Sequence, residues 1–155
     1  VWENAVLSET ANAEMVGGFS QINKRACLAL AERICADNDV RTQSLVQPTR
    51  LLSGGNVQKL LIGRWLARNP RIIIACQPSR GLDEGAISAV HRMMLAARQA
   101  GSAILLISED LEEIMSLADR VAVMFDGRLS EPMPNSNIDP VEVGLMMTGE
   151  GLHAV

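Results

Sequence analysis

The sequence predicts an α/β protein in which a helical segment precedes parallel strands. Three apolar runs, each five residues long and bounded by polar residues, indicate strands buried on both faces of a parallel sheet. These runs are Ile72–Cys76, Ala103–Ile107 and Val121–Phe125. Apolar residues recur at helical spacing between the first two runs, so strand, helix and strand should form a right-handed crossover unit. Before residue 70 the pattern is helical.

Local signals mark where the helices begin and end. Asp83 is placed to cap the crossover helix, and Gly101 lies just beyond its expected end. Residues 131–139 have the composition of a linker. The helices expected from these signals and from apolar periodicity are Gln21–Asp37, Val57–Arg68, the helix between Asp83 and Gly101, Asp110–Ala118 and Val141–Met147.

Composition narrows the class of protein. The chain has 155 residues, which suits one domain or a piece of a larger one, and 48% of them are hydrophobic, enough for a packed core. A net charge of −4 and only two Phe, two Trp and no Tyr argue against a nucleic-acid partner. The five-residue apolar runs are far shorter than the roughly 18 residues of a membrane span.

The cysteines do not suggest a metal site or a disulfide framework. Cys27, Cys35 and Cys76 are odd in number and contain no Cys-x-x-Cys pair, and neither His91 nor His153 is near them in sequence. Cys27 and Cys35 are spaced for one helical face, where they should act as small buried apolar residues. This usage fits a reducing, cytosolic setting.

The segment Leu52–Asn56 carries the clearest binding signal. Gly54 and Gly55 leave the backbone bare, so that its N–H groups can approach a ligand closely. A helix begins here, and its first turn offers unpaired donors and partial positive charge to a phosphate oxygen. Ser53 can cap the helix or offer its hydroxyl to the same anion. Taken alone, Gly-Gly before a helix is more often an ordinary turn.

Four motifs in order resemble the ATP-binding cassette family, and the resemblance covers about residues 1–148. They are Ser-Gly-Gly-Asn-x-Gln-Lys at 53–59, Ala-Arg-Asn-Pro at 67–70, Pro-Ser-Arg-Gly-Leu-Asp at 78–83 and Ser-Glu-Asp-Leu at 108–111. Asn56, Arg80-Gly81 and the last motif make the sequence look most like the second cassette of ATPase subunits of simple-sugar and nucleoside importers. Ala75-Cys76-Gln77-Pro78 resembles the nucleoside-type members, which are paired with lipoprotein receptors.

The resemblance implies a fold and a division of the chain. The fold would be a partial P-loop NTPase core of the RecA type, with parallel strands, joined to an α-helical subdomain. Residues 1–69 would be the helical subdomain with the signature helix, and residues 70–130 the remnant of the ATPase core. Residues 131–155 would be the C-terminal linker and short helix.

Site residues carry over by position. Ser53, Gly54 and Gly55 match the signature motif, which in the family contacts the γ-phosphate of ATP held by the opposing cassette. Asn56 falls in the same motif and, with Gln58, is a weaker candidate. Asp83 matches a position that bonds across the dimer, although it is also a good helix cap. Arg80 is a weaker candidate for a phosphate or partner contact, and Lys59 and Arg64 are expected on a solvated helix face.

Three departures from the family pattern fall at positions that carry chemistry. Where the strand normally ends in Asp-Glu, this chain has Cys76 and Gln77, and where the switch His normally stands it has Glu109. A neutral thiol is a poor partner for Mg²⁺, and an amide cannot take a proton from water. A carboxylate beside a γ-phosphate would repel it. This half's own nucleotide site is therefore expected to hydrolyse ATP poorly or not at all, with no metal ligands of its own.

The expected function is that of an importer ATPase using ATP and Mg²⁺ in the full assembly, with this fragment alone inactive. The expected partners are the other cassette of the same subunit or a second copy, a membrane permease and, indirectly, a substrate-binding lipoprotein. The expected place is the cytoplasmic face of a bacterial cell membrane, as a peripheral protein. Two alternatives stay open: a catalytically silent regulatory or binding cassette, and a soluble cassette protein that does not transport.

The first residue carries a further expectation. By the resemblance, the chain begins after the phosphate-binding loop and lacks the strand that feeds it. In the family's sheet order that strand lies between those matching Ala103–Ile107 and Val121–Phe125. An isolated fragment is therefore expected to rearrange, to pair its strand edges with another copy, or to fold only marginally.

Overall fold

The computed structural model describes residues 1–9 and 21–151, so His153 lies outside the described residues. It confirms a mixed α/β fold. The helices are α1 (Trp2–Ala5), α2 (Lys24–Asp37), α3 (Gly54–Leu66), α4 (Glu84–Gln99), α5 (Leu111–Leu117) and α6 (Pro140–Met146). The strands are β1 (Ile72–Cys76), β2 (Ala103–Ile107), β3 (Arg120–Val121), β4 (Met124–Phe125), β5 (Arg128–Leu129) and β6 (Met133–Pro134).

Side-chain caps set the starts of the long helices. The Asn23 carboxamide oxygen accepts a hydrogen bond from the Ala26 N–H, so α2 begins three residues later than periodicity predicts. The Ser53 hydroxyl caps α3, which therefore begins at Gly54 rather than Val57. The predicted cap at Asp83 is confirmed: its carboxylate accepts from the Ala86 N–H at 2.9 Å. Gly101, just beyond α4, has the left-handed backbone typical of a helix end (φ 101°).

The chain divides into two compact units. The first consists of Val1–Ile73 and Pro78–Ile104, and the second of Ile74–Gln77 and Leu105–Val155. The boundary runs through β1 and β2, since the first residues of each strand belong to the first unit and the last to the second. The assignment of residues 1–69, 70–130 and 131–155 to separate parts remains a prediction.

Helix α3 is central to the first unit, where it packs against α1, α2 and α4. Leu60 of α3 is fully buried, which is worth about 1.5–3 kcal/mol for a side chain of this size. Cys35 is buried with it, and burial raises the pKa of its thiol, as expected of a packing residue. The buried cluster contains Val1, Ala5, Ala31, Ile34, Cys35, Val40 and Leu60.

Strands β1 and β2 form a parallel pair, as predicted. The Ala103 N–H donates to the Arg71 carbonyl where the strands begin, and the Gln77 N–H donates to the Ile107 carbonyl where they end. The expectation that both faces are buried was wrong, because Ile72 and Ile74 are 71% and 69% exposed. A continuous apolar run indicates that both faces are apolar; it does not say which residues cover them.

The third apolar run is not one strand of this sheet, which corrects the prediction for Val121–Phe125. Its two ends pair in antiparallel fashion with different strands, β3 with β6 and β4 with β5. Asp126 and Gly127 both have positive φ, 46° and 73°, and connect β4 to β5 as a two-residue hairpin turn. The two ends of the run therefore belong to two separate antiparallel pairs, and among the described strands neither end pairs with β1 or β2.

The segment with linker composition is partly ordered. It contains β6 and a 3₁₀ turn over Asn135–Asn137. The Asn135 side-chain amide donates to the carbonyls of Met115 and Ala118 at the end of α5, at 2.8 and 2.9 Å. Met133 packs against the second unit's buried cluster of Val123, Val143 and Met146.

Candidate functional site

The start of α3 presents a serine hydroxyl whose acceptor positions are occupied. The Ser53 Oγ accepts from the Asn56 backbone N–H at 3.4 Å and from the Asn56 Nδ2 at 2.9 Å. The first bond inside the helix runs from the Val57 N–H to the Ser53 carbonyl, so the Gly54 and Gly55 amides precede it and have no partner in the helix. Both amides therefore suit an anion.

The adjacent residues Gly54 and Gly55 have different surroundings. A Cβ added at Gly54 would meet no atom within 4 Å, whereas one added at Gly55 would lie 2.6 Å from the Cβ of Ala86. Gly54 and Ser53 are exposed, while Gly55 is half-buried where α3 approaches α4. Gly54 thus leaves open space for a ligand, and Gly55 is needed for helix packing.

Lys59 does not lie on a solvated face, which corrects the expectation for this residue. It is 8% exposed, and its Nζ donates to the carbonyl of Asp39 and, at 3.2 Å, to the Oδ2 of the same residue. Asp39 has a left-handed backbone (φ 47°) just after α2, and this turns its carbonyl toward α3. Lys59 and then Arg41 hold the pKa of the Asp39 carboxyl below its usual value.

Arg64 is also partly buried rather than solvated. Its Nη1 donates to the Asn4 carbonyl at 3.1 Å, which ties α3 to α1. Its guanidinium lies 5.4 Å from the ring centre of Trp65, and that of Arg68 lies 5.7 Å from the same ring. Arg64 is therefore a packing residue, and nothing in its contacts suggests a phosphate ligand.

The three departing positions lie together, at the carboxyl ends of β1 and β2. Gln77 follows β1 and has a left-handed backbone (φ 50°). Its N–H donates to the carbonyl of Ile107, and Ile107 precedes Glu109 by two residues. Cys76 and Glu109 are exposed. The donors at this edge are a thiol, an amide and one carboxylate, which is a poor set for Mg²⁺. Among the described residues no group of three or more His, Cys, Asp or Glu side chains is arranged to hold a metal ion.

The cross-dimer candidates are placed by the turn before α4. Asp83 caps α4, so its structural role is directly visible, and Arg80 is exposed. The Gln58 side chain of α3 donates to the Pro78 carbonyl at 2.7 Å and so holds this turn rather than a ligand. The role of Asp83 across a dimer stays a prediction.

The first unit also has a groove away from Ser53–Asn56. It has a volume of about 680 Å³ and is lined by the ends of α2, α3 and α4, including Asp37, Leu66, Arg71, Arg92 and Ser102. Its walls include none of the residues 53–56. No helix in the described ranges is both long and apolar enough to cross a membrane.

Comparison with known proteins agrees with the motifs. The chain is 48% identical over 119 residues to the guanosine import ATP-binding protein NupO of Bacillus subtilis, covering 77% of this chain and 23% of that protein. It is 38% identical over 136 residues to the nucleoside import ATP-binding protein NupA of Lactococcus lactis, covering 88% of this chain and 26% of that protein. The chain belongs to the ATP-binding cassette family.

Solved structures of ATP-binding cassettes are similar in fold to this chain. An ATP-binding cassette of an ABC transporter, MJ1267, has a TM-score of 0.73 at 21% identity, over 96% of this chain and 60% of that one. A nucleotide-free ATP-binding cassette has a TM-score of 0.70, also at 21% identity, over 94% of this chain and 58% of that one. These likenesses show the P-loop NTPase type of fold.

This cassette chain spans about a quarter of the length of the curated relatives it matches. A protein of Pseudomonas syringae named for ribose, galactose and methyl galactoside import is 35% identical over 99% of this chain but only 29% of its own length. No protein-family model matches the chain.

Replacing Gly55 by Ala should destabilise the protein by about 1–3 kcal/mol, because the new methyl group overlaps Ala86. Gly54→Ala is the matched control: it adds the same atom to open space and should leave stability unchanged or raise it by up to about 1 kcal/mol. Urea denaturation of both variants measures the difference. Equal stabilities would show that the approach of α3 to α4 does not require Gly55.

The Asp39–Lys59 ion pair should make stability depend on acid pH. Because the folded pKa of Asp39 is lowered, its contribution is present above the ordinary value of about 3.9 and is lost as the pH falls through the folded pKa. Asp39→Asn keeps the tolerance for positive φ and removes the charge. Its Tm should be below that of the wild type at pH 7. The difference in Tm should vanish once the pH is below the folded pKa of Asp39.

Asp37→Asn is the control for this comparison, since Asp37 has no ion pair within residues 1–9 and 21–151 and has the same charge two positions away. Thermal melts from pH 2 to 7 follow both variants. A difference between wild type and Asp39→Asn that persists at pH 2 would contradict the assignment to the ion pair.

Proposed function

We propose that this chain completes the ATP site of a partner cassette in the ATPase subunit of an importer. The Ser53 hydroxyl and the amides at Gly54 and Gly55 would contact the γ-phosphate of ATP bound to that partner. The observation that carries the proposal is the exposed, capped start of α3, with open space at Gly54. Asn56 would belong to the same site, and Asp83 would bond across the dimer.

Nucleosides or simple sugars are the proposed imported class. The support is in the names of the relatives, which state guanosine, nucleoside and ribose or galactose import. The complete protein would work with a second cassette or second copy, a membrane permease and a substrate-binding lipoprotein. It would lie at the cytoplasmic face of a bacterial cell membrane as a peripheral subunit, coupling ATP hydrolysis to uptake.

The site at the ends of β1 and β2 would be inert. Gln77 cannot act as a general base, and such help is worth roughly 10²–10⁴-fold in rate. Cys76 offers a soft neutral ligand where Mg²⁺ prefers oxygen, so the Mg²⁺ of the assembly would be held by the partner with its ATP. Glu109 would repel a γ-phosphate at this edge. This chain alone is therefore expected to be inactive.

A catalytically silent regulatory cassette is the second candidate. The replacements at Cys76, Gln77 and Glu109 favour it, because they would be tolerated in a protein whose ATP is never hydrolysed. The two candidates differ at Ser53: only a cassette that completes an active site needs that hydroxyl for turnover.

Ser53→Asp should abolish most ATP turnover by the full subunit, by about 100-fold or more, because it replaces a donor with a negative charge facing the phosphate. Asp is as good a helix cap as Ser, so α3 should keep its start. Ser53→Thr keeps the hydroxyl and should retain most of the activity. Steady-state release of phosphate from ATP is the measurement.

Ser136→Asp is the control, since it makes the same change at an exposed serine in the second unit. It should leave turnover unchanged. If Ser53→Asp turns over ATP as fast as the wild type, the proposal that this signature completes an active site fails and the silent cassette is favoured.

A further inference from the structure

The Ser53 hydroxyl has one direction left in which it can bond. A hydroxyl has one donor and two acceptor positions. Both acceptor positions are used by Asn56, through its backbone N–H and its Nδ2, at 3.4 and 2.9 Å. The hydroxyl proton is therefore available to an acceptor from outside α3, and Ser53 is exposed.

The loop after α2 fixes the orientation of the Asn56 side chain. The Arg41 backbone N–H donates to the Asn56 Oδ1 at 2.8 Å. A backbone N–H can only bond to the oxygen of a carboxamide, so the nitrogen must be the atom that faces Ser53. Without the hydrogen bond from the Arg41 N–H, the Asn56 carboxamide could rotate by half a turn and present its oxygen to Ser53. That oxygen would then accept a hydrogen bond from the Ser53 hydroxyl.

Lys59 fixes the same loop one turn further along α3. Residues 56 and 59 lie on one helix face, at the i, i+3 spacing. Lys59 is buried, with a side chain only 10% exposed, and its ammonium group bonds to the carbonyl and carboxylate of Asp39. Val40, the residue between Asp39 and Arg41, is buried in the first unit's core. The loop is thus held at the two residues that precede the amide bonded to Asn56.

We infer that Asn56 and Lys59 are positioning residues that keep the Ser53 hydroxyl ready to donate to the γ-phosphate. Asn56 acts on Ser53 directly, and Lys59 acts through Asp39 and the backbone of Arg41. In this account Asn56 orients the ligand-binding group and is not itself a phosphate ligand. A donor already aimed at the phosphate needs no rearrangement when charge develops, which is where fixed dipoles contribute most to rate. The inference rests on the proposed function of Ser53.

The test is a double-mutant cycle in the full subunit, with steady-state ATP turnover as the readout. Asn56→Ala should lower kcat by about 10- to 100-fold, the range found for residues that orient the side chains coordinating a metal, with KM for ATP changed less than about twofold. In a Ser53→Ala background the same substitution should change kcat by less than about twofold, because no hydroxyl is left to orient.

Lys59 variants test the second step. Lys59→Met should lower kcat in the same manner as Asn56→Ala, and Lys59→Arg, which can still donate to Asp39, should restore most of it. Asn23→Ala is the matched control, because Asn23 caps α2 in the way Ser53 caps α3. It should lower Tm to a similar degree and leave kcat unchanged.

The outcomes separate the inference from the function beneath it. If Ser53→Ala leaves turnover unchanged, the proposed function fails and the inference falls with it. If Ser53→Ala is slow but the Asn56→Ala effect is absent, or is equally large in both backgrounds, only the positioning role is overturned. A Lys59→Arg variant as slow as Lys59→Met removes Lys59 from the account.

Discussion

Helix α3 has to bury one side along its length while its first turn stays open, and the first unit is arranged around this requirement. The buried side centres on Leu60, which is fully enclosed where α3 packs on α1, α2 and α4. The approach to α4 is so close that Gly55 has no room for a side chain beside Ala86. Gly54, one residue earlier, faces open space. Glycine therefore serves packing at one position and access at the next, although the sequence repeats the same letter.

A rigid helix with an exposed amino end is suited to bind an anion of a partner. Its donors are already ordered by folding, so binding does not have to supply the entropy cost of ordering them. The hydroxyl of Ser53, the amide of Asn56 and the loop held by Lys59 form a connected polar chain whose members orient one another. The edge of β1 and β2 is different, since Cys76 and Gln77 offer neither a hard metal ligand nor a base. In the proposed function, the start of α3 completes the ATP site of a partner cassette, and no hydrolysis takes place at the ends of β1 and β2.

Much of this was predictable where the deciding interaction is local. The caps at Ser53 and Asp83 follow from short-range patterns. The parallel pairing of β1 with β2 is not local, and it follows instead from the strand–helix–strand order of the chain. The exposure of Ile72 could not be predicted in this way. Its apolar character indicates that it would be stabilised by burial, but not which residues would bury it. The antiparallel pairing of β4 with β5 has a signal in the sequence, because Asp126-Gly127 is typical of a two-residue hairpin turn. Lys59 had none: its burial depends on a carbonyl twenty residues away.

We propose that Ser53 lies against the γ-phosphate of ATP bound to another cassette, and this contact can be tested directly. Cysteine at position 53, in a full subunit whose exposed Cys76 is replaced by Ser, places a thiol there while Cys27 and Cys35 stay buried. An ATP analogue with a thiol-reactive group on its γ-phosphate should then label position 53, and excess ATP should prevent the labelling. Labelling no faster than that of a cysteine at the exposed position 136, or labelling that excess ATP does not affect, would contradict the claim.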